Sequence, residues 1–175
     1  MAVMKLYLVR HGETDENLRA IVMGWLDVPL NATGKEQALR QAAAFTHEVD
    51  AIFCSDLRRC VETAEPFRVA LPHLPFLLDW RLRERYLGEA QGRPRDAVFR
   101  DGSSEVAVPD AEPLEQHRVR VQSFFDSLRQ LESRFPRVLV VAHNGTINRM
   151  VELLNHTEDS THTDYANGSC VELEL

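Results

Sequence analysis

Two histidines stand where this sequence concentrates reactive residue types. Arg10-His11-Gly12 closes the apolar run from Lys5 to Arg10 (KLYLVR), and His143-Asn144-Gly145 follows Val138 to Ala142 (VLVVA). A neutral imidazole nitrogen is a competent nucleophile towards a phosphoryl group. Arg10, next to His11, can grip a phosphate with a fork of N–H donors. Gly12 lets the backbone turn sharply and lets an anion come close. Taken alone, His11 reads equally well as a residue that merely caps the end of a strand. The second histidine shifts the balance, because two histidines at two strand ends could face one another across a crevice.

Two more blocks complete a chemical set. Ser55-Asp56-Leu57-Arg58-Arg59 sits at the start of an expected helix. A helix N-terminus attracts anions, and an arginine there adds to the attraction. Leu82-Arg83-Glu84-Arg85-Tyr86 supplies a carboxyl group in a loop. Nucleophile, anion clamp and proton donor are what phosphoryl transfer requires.

The scaffold that must position these groups reads as alternating strands and helices. Lys5 to Arg10 is a short buried strand. Thr33-Gly34-Lys35-Glu36 has capping-box spacing, which predicts a helix from about Gly34 to His47 with Thr33 as its N-cap. Ala51 to Cys54 is a second strand. Ser55-Asp56 are good N-cap types for a helix running to about Val69. Pro72 and Pro75 break that helix ahead of a third strand at Phe76 to Leu78. Residues 88 to 112 read as an irregular excursion with one short helix near Arg95 to Arg100. Pro113 opens a long helix on which Leu114, His117, Val121, Phe124, Phe125, Leu128 and Leu131 trace one face through Phe135. Val138 to Ala142 has the continuous apolar character of a central parallel strand. Thr146 to Leu154 is a further helix, and Cys170 to Leu175 alternates as an edge strand should. The pattern predicts an α/β three-layer sandwich with a mainly parallel central sheet flanked by helices. In such sheets ligands bind beyond the carboxyl ends of the strands, where His11 and His143 stand.

Bulk properties narrow the classes. With 175 residues the chain reads as a single domain, 1–175, with a small cap-like excursion at about 85–112. Its net charge of -7 argues against a nucleic-acid partner, which needs a cationic surface. A small anionic substrate is still compatible, since a local cationic pocket acts against the global sign. No segment approaches the roughly 20 apolar residues of a membrane helix, so no membrane partner is expected. Met1 to Arg10 lacks the features of a signal peptide, and three cysteines without framework spacing point to a reducing cytoplasm. The triplets Asn31-Ala32-Thr33 and Asn155-His156-Thr157 are therefore read as chance. His47, His73, His117, His156 and His162 are scattered, mostly as surface or interface residues, and no metal site is expected. Cys54 and Cys60 read as small core residues. A cysteine phosphatase would need Cys-x5-Arg, and Cys54 is followed six residues later by Cys60. Trp25 and Trp80 read as packing residues, Trp25 lying near the pocket loop. The sequence leaves the oligomeric state open; a homodimer is compatible with it.

Four blocks in order resemble the histidine phosphatase superfamily, which includes the cofactor-dependent phosphoglycerate mutases. The first is Leu8-Val-Arg-His-Gly-Glu-Thr14 with Asn17, Gly24-Trp-Leu-Asp27, Pro29-Leu30, Gly34 and Gln37-Ala38. Then come Ser55-Asp-Leu-Arg-Arg59 with Thr63-Ala64, Leu82-Arg-Glu84 with Gly88 and Gln91-Gly92, and Ala142-His143. The resemblance spans nearly the whole chain and implies a phosphoglycerate mutase-like fold. It implies that His11 becomes phosphohistidine while Arg10, Arg59 and His143 surround the phosphoryl oxygens. Arg59, not Arg58, takes the family's position. Asn17 would donate to the phosphate, and Gly24, Arg85 and Asn144 would line the substrate site. Glu84 would protonate the leaving oxygen and then help water attack the phosphoenzyme. It must hold a proton as that oxygen leaves, which burial or a neighbouring phosphate charge favours.

One departure concerns the residue after the second histidine. The family commonly has glycine there; this chain has Asn144, which tolerates positive φ and so could make a similar turn. The mutases also carry a long insertion after the glutamate block and a C-terminal tail that hold a bisphosphate cofactor. Here 20 residues separate Gly92 from Pro113, and the chain ends with its last strand. An open site admits water, so the expectation is a metal-independent phosphomonoester hydrolase with no cofactor, acting on a small phosphorylated metabolite. Mutase activity and a phospholigand-binding pseudophosphatase are the alternatives. Arg85, Arg93, Arg95 and Arg100 could favour a second anionic group, or could equally be solvated surface.

Overall fold

Alternate residues along Lys5–Arg10 enter two different apolar layers, which is what a strand's period of two dictates when both faces are covered. Leu6 and Leu8 join one cluster; Tyr7 and Val9 join another. The computed structural model describes residues 3–99, 108–155 and 163–175. Arg100, His156, His162 and most of the Asn155-His156-Thr157 triplet lie outside those residues.

Five strands form one sheet: β1 (Lys5–Arg10), β2 (Ala51–Cys54), β3 (Phe76–Leu78), β4 (Arg137–Ala142) and β5 (Cys170–Glu174). The order is β3-β2-β4-β1-β5. β4 lies at the centre, parallel to both β1 and β2, and β3 is parallel to β2. β5 is an edge strand antiparallel to β1. The register sets Arg10 opposite Ala142, so the two strand ends that carry His11 and His143 are neighbours.

One face of the sheet packs Leu6, Leu8, Val138 and Val140 against α5 (Leu114–Gln130) and α6 (Asn144–Asn155), through Val121, Phe124, Leu128, Ile147 and Met150. The other face packs Val9, Ile52, Cys54 and Val141 against α3 (Arg58–Ala70), through Cys60, Ala64 and Phe67. α2 (Ala32–Ala44) lies alongside α3. Helices on both faces of a mostly parallel sheet make the three-layer sandwich that the sequence pattern predicts. Outside it, Val22, Ala90 and Val98 gather a small cluster of their own. There α4 (Arg95–Val98) and a 3₁₀ turn at Gly88–Ala90 meet the segment after α1 (Asp15–Leu18). Val22 N donates to Arg93 O at 2.9 Å and Gly92 N to Val22 O at 2.8 Å.

Several element boundaries differ from the sequence expectation. α2 begins two residues early because Asn31, not Thr33, is its N-cap, with the Asn31 side chain accepting from Gly34 N at 2.8 Å. It ends at Ala44, not at His47. α3 starts at Arg58 with Leu57 in the cap position and no side-chain cap. Its expected caps are drawn elsewhere: Ser55 to His143, and Asp56 to the Arg83 guanidinium at 2.6 and 2.7 Å. α5 stops at Gln130, and α6 starts directly after His143, at Asn144. Asn144 is helical, so the positive φ expected of it is not adopted. α1 is unanticipated: Thr14 and Asn17 form the capping box expected at Thr33.

Candidate functional site

The site grows from the ends of β1 and β4. His11 N still donates to Ala142 O, at 3.0 Å, so the backbone ladder reaches the histidine itself. The imidazole is buried, and its Nδ1 lies 2.7 Å from Gly12 O. A carbonyl only accepts, so Nδ1 carries the proton and Nε2 keeps its lone pair. Burial, then the charge of Arg59, holds His11 well below the usual imidazole range despite the bond to Gly12. The ring is therefore neutral and nucleophilic at one defined nitrogen.

Gly12 owes its place to packing. A Cβ there would stand 2.5 Å from Gly34 O at the start of α2, while Gly12 N donates to Thr63 Oγ1 of α3 at 3.0 Å. The His11 loop is thus pinned to both helices on that face.

His143 is fully buried, with its ring centroid 5.2 Å from that of His11. Its Nε2 lies 2.9 Å from Ser55 Oγ and 3.4 Å from Cys60 Sγ. Burial, then Arg59 and His11, keeps it neutral as well. Cys60 is no nucleophile: burial pushes its thiol up to about 12. Cys60 and Cys54 are core residues, as their sequence context suggests.

The arginines are held from behind. Arg59 is buried, and donates from Nη1 to Leu26 O at 2.7 Å and from Nη2 to Gly24 O at 2.8 Å. Gly24 therefore serves the site through its carbonyl, at a φ of 51° that suits glycine. Arg10 Nη1 donates to Asp164 Oδ1 at 2.8 Å and to the Tyr165 carbonyl. Among the described residues, the buried Nε–H groups of Arg10 and Arg59 have no partner. Buried cationic donors left unpaired beside two histidines suit an anion's oxygens. Asn17 Oδ1 is committed to Thr14 N at 3.1 Å, so its amide NH2 is what it can offer a ligand. Asn167, which sequence reasoning did not single out, donates to His11 O at 3.0 Å.

Glu84 joins the site through the segment after His143. Its Oε2 accepts from Gly145 N and its Oε1 from Arg85 N, each at 2.9 Å. A Cβ on residue 145 would lie 2.4 Å from Glu84 Oε1. The glycine that matters in His143-Asn144-Gly145 is therefore the third residue, which admits the carboxylate. Asn144 faces the other way: its Oδ1 accepts from Tyr165 N at 2.9 Å. The Arg85 side chain turns to Glu112 O at 2.6 Å.

Other expectations divide. His47 and His73 are exposed, as read from sequence, but His117 is buried with its Nε2 3.3 Å from Thr146 Oγ1. Its place on the apolar stripe of α5 is the signal that favoured burial over surface. Arg93 and Arg95 are exposed. Trp25 packs edge-on against Tyr86, and its indole N–H also donates to Glu84 O at 2.6 Å. A cleft of about 690 Å³ on the outer side of Trp25, lined by Trp80, Tyr86, Val119 and Arg120, includes none of the histidines above. Among the described residues no three His, Cys, Asp or Glu side chains gather as metal ligands do, and no helix is long and apolar enough to cross a membrane.

Known proteins resemble this chain in sequence and fold. The family model for the histidine phosphatase superfamily (branch 1) matches residues 6–175. A probable phosphatase from Schizosaccharomyces pombe is 35% identical over 149 residues, 83% of this chain and 70% of its own length. The uncharacterized phosphatase PhoE of Bacillus subtilis is 35% identical over 148 residues, 82% of this chain and 74% of its own. The mycobacterial glucosyl-3-phosphoglycerate phosphatase, solved with VO3, superposes with a TM-score of 0.87 at 25% identity, covering 97% of this chain and 90% of that one. The chain is a histidine-type phosphatase, a member of branch 1 of the histidine phosphatase superfamily.

Proposed function

We propose that the protein hydrolyses a small phosphomonoester in two in-line steps at His11. In the first, His11 Nε2 attacks phosphorus, the P–O bond to the leaving group breaks, and Glu84 gives its proton to the departing oxygen. In the second, water attacks the phosphohistidine and passes a proton to Glu84. The P–N bond breaks, and inorganic phosphate leaves with His11 neutral again. Arg10, Arg59 and His143 neutralise charge on the phosphoryl oxygens, work that needs no metal from this set of groups. The reading treats residues 1–175 as one domain with a cap-like excursion at about 85–112, of which the described residues 85–99 and 108–112 would wall the side of the site next to Glu84.

The observation that carries the proposal is the His11 Nδ1–Gly12 O contact of 2.7 Å, which fixes the tautomer and frees Nε2. The test is hydrolysis of p-nitrophenyl phosphate in EDTA, wild type against His11→Ala, with alkali-stable, acid-labile labelling of the protein followed in parallel. Turnover that survives EDTA, with both turnover and label lost in His11→Ala, is expected. A drop of at least about 10⁴-fold in kcat is in keeping with removal of a nucleophile. Labelling without turnover would point to mutase chemistry, and neither labelling nor turnover to a pseudophosphatase; either outcome overturns hydrolysis.

A further inference from the structure

Glu84 needs more than a carboxylate in the right place; the loop that carries it must not move. Its backbone is gripped by one buried arginine of α5. Arg120 Nη1 donates to Arg81 O at 2.7 Å and to Arg83 O at 2.9 Å, and Nη2 donates to Glu84 O at 3.1 Å. The rest of the guanidinium faces Glu112: Nε to Oε1 at 2.8 Å and Nη2 to Oε2 at 2.7 Å. A guanidinium has five N–H donors, and all five are used here. The side chains of Arg120 and Glu112 are only 5% and 12% exposed.

We propose that Arg120, charge-paired with Glu112, is the positioning residue for the proton donor: it fixes the Arg81–Glu84 backbone so that the Glu84 carboxyl meets the leaving oxygen. The inference rests on reading Glu84 as the general acid. Neighbouring donors support the same backbone. Trp25 Nε1 reaches Glu84 O at 2.6 Å, and Thr146 Oγ1 reaches Arg83 O at 2.9 Å. Glu112 also joins the two ends of the excursion, since Glu112 N donates to Tyr86 O at 2.9 Å and Tyr86 N to Glu112 Oε2 at 3.2 Å. One ion pair thus links the two ends of the excursion to the backbone that carries the proton donor. Lysine could keep the charge, but three donors on a point cannot span a carboxylate and three carbonyls.

A residue that merely holds the fold together would slow every substrate alike. One that positions a general acid slows only substrates whose leaving group needs the proton. The experiment measures kcat/KM of Arg120→Lys and Glu112→Gln on an alkyl phosphate and on p-nitrophenyl phosphate, whose phenolate leaves unprotonated. Inhibition by inorganic phosphate monitors ground-state binding. For both variants the alkyl phosphate should lose about 10- to 100-fold, in line with an ångström-scale misplacement, while p-nitrophenyl phosphate and phosphate inhibition move less than about 3-fold. In a Glu84→Gln background, Arg120→Lys should cost the alkyl phosphate less than about 2-fold more, because the two act as one unit. Equal losses on both substrates, or full multiplication in that background, would overturn the proposal. If Arg120→Lys melts below the assay temperature by circular dichroism, Glu112→Gln and Trp25→Phe carry the same comparison. Glu84→Gln alone distinguishes the two levels. Its expected loss in kcat/KM, which reads phosphoryl transfer to His11 alone, is about 10²- to 10⁴-fold on the alkyl phosphate and far smaller on p-nitrophenyl phosphate, while kcat falls on both because Glu84 also takes the proton of the attacking water. A kcat/KM loss without selectivity sinks the general-acid reading itself, separately from the clamp.

Discussion

The two halves of the site are built by different means. His11 and His143 stand on adjacent parallel strands, and main-chain hydrogen bonds carry the register Arg10 to Ala142 right up to the first histidine. Glu84 stands in a loop beyond a 3₁₀ turn at Trp80–Leu82 and is placed by side chains and amides from Trp25, Arg120, Thr146 and Gly145. A ladder between central strands resists change at any one residue, because each bond is shared with its neighbours and the strands are buried on both faces. A loop held by a few side-chain donors fails when one of them goes. The nucleophile's half should therefore lose stability before it loses geometry, and the acid's half should lose geometry before stability.

Two glycines test this contrast with the same added methyl group. In Gly145→Ala the new Cβ meets the Glu84 carboxylate, the far end of a flexible side chain, at 2.4 Å. The carboxylate should swing away, costing about 100-fold in kcat/KM on an alkyl phosphate, while the melting temperature barely changes. In Gly12→Ala the Cβ meets the Gly34 carbonyl of α2 at 2.5 Å, where both sides are backbone. Overpacking of that kind should cost roughly 1–3 kcal/mol in urea unfolding. If Gly12→Ala were as stable as wild type, or Gly145→Ala equally slow on p-nitrophenyl phosphate, the division between the halves would be wrong.

The same division explains what was legible in the chain. β1 and β4 announce themselves as apolar runs, and each delivers its histidine within one residue, so the nucleophile's half is local in sequence. The Thr33 capping box was legible but false: Asn31, a stronger cap type than threonine, lets α2 start early enough for Gly34 to meet Gly12 and Glu13. Ser55 and Asp56 look like caps and serve His143 and Arg83 instead. Neither choice is written in a local pattern, because the competing partner arrives from a distant part of the chain. Glu84 could be placed by resemblance, but Arg120 and Glu112 could not. An arginine on the apolar stripe of a helix is a signal only once its five acceptors are assembled, and they lie on the 3₁₀ turn, the glutamate loop and the end of the excursion.

Acidification should strain the nucleophile's half. His11, His117 and His143 are all held well below the ordinary imidazole value of 6.5, in each case chiefly by burial. In the unfolded chain these rings take up protons near 6.5; in the folded chain they do not. The unfolded state then binds more protons, and stability is fully present above about 6.5 and falls as pH drops below it, towards the lowered folded values. Each ring contributes up to about 1.4 kcal/mol per pH unit in that window. Urea midpoints across pH 7.5 to 5 should fall accordingly, and His117→Asn, which lies outside the transfer chemistry, should flatten the slope by about a third. A midpoint independent of pH over that range would mean that the rings are not held neutral. Activity of the folded enzyme should persist into the same range: with His11 neutral below 6.5, the acid limb of kcat/KM should lie below that pH.

The smallest effect concerns the loosest contact in the otherwise rigid half. Arg10 is mostly buried, yet the carboxylate that holds it, Asp164, has a side chain 86% exposed. Exposed ion pairs contribute little to stability, so Asp164→Asn should leave the melting temperature within about 1 °C. The competition for Arg10 is a different matter. A phosphoryl dianion must share the guanidinium with that carboxylate, and a charge of the same sign nearby weakens its binding. Removing the charge should lower KM by about 2- to 3-fold with kcat unchanged, and the gain should shrink at high salt as screening grows. A lower kcat would show instead that Asp164 orients Arg10 for transfer. The rigidity of the nucleophile's half would then extend beyond the sheet, into the loop that precedes β5.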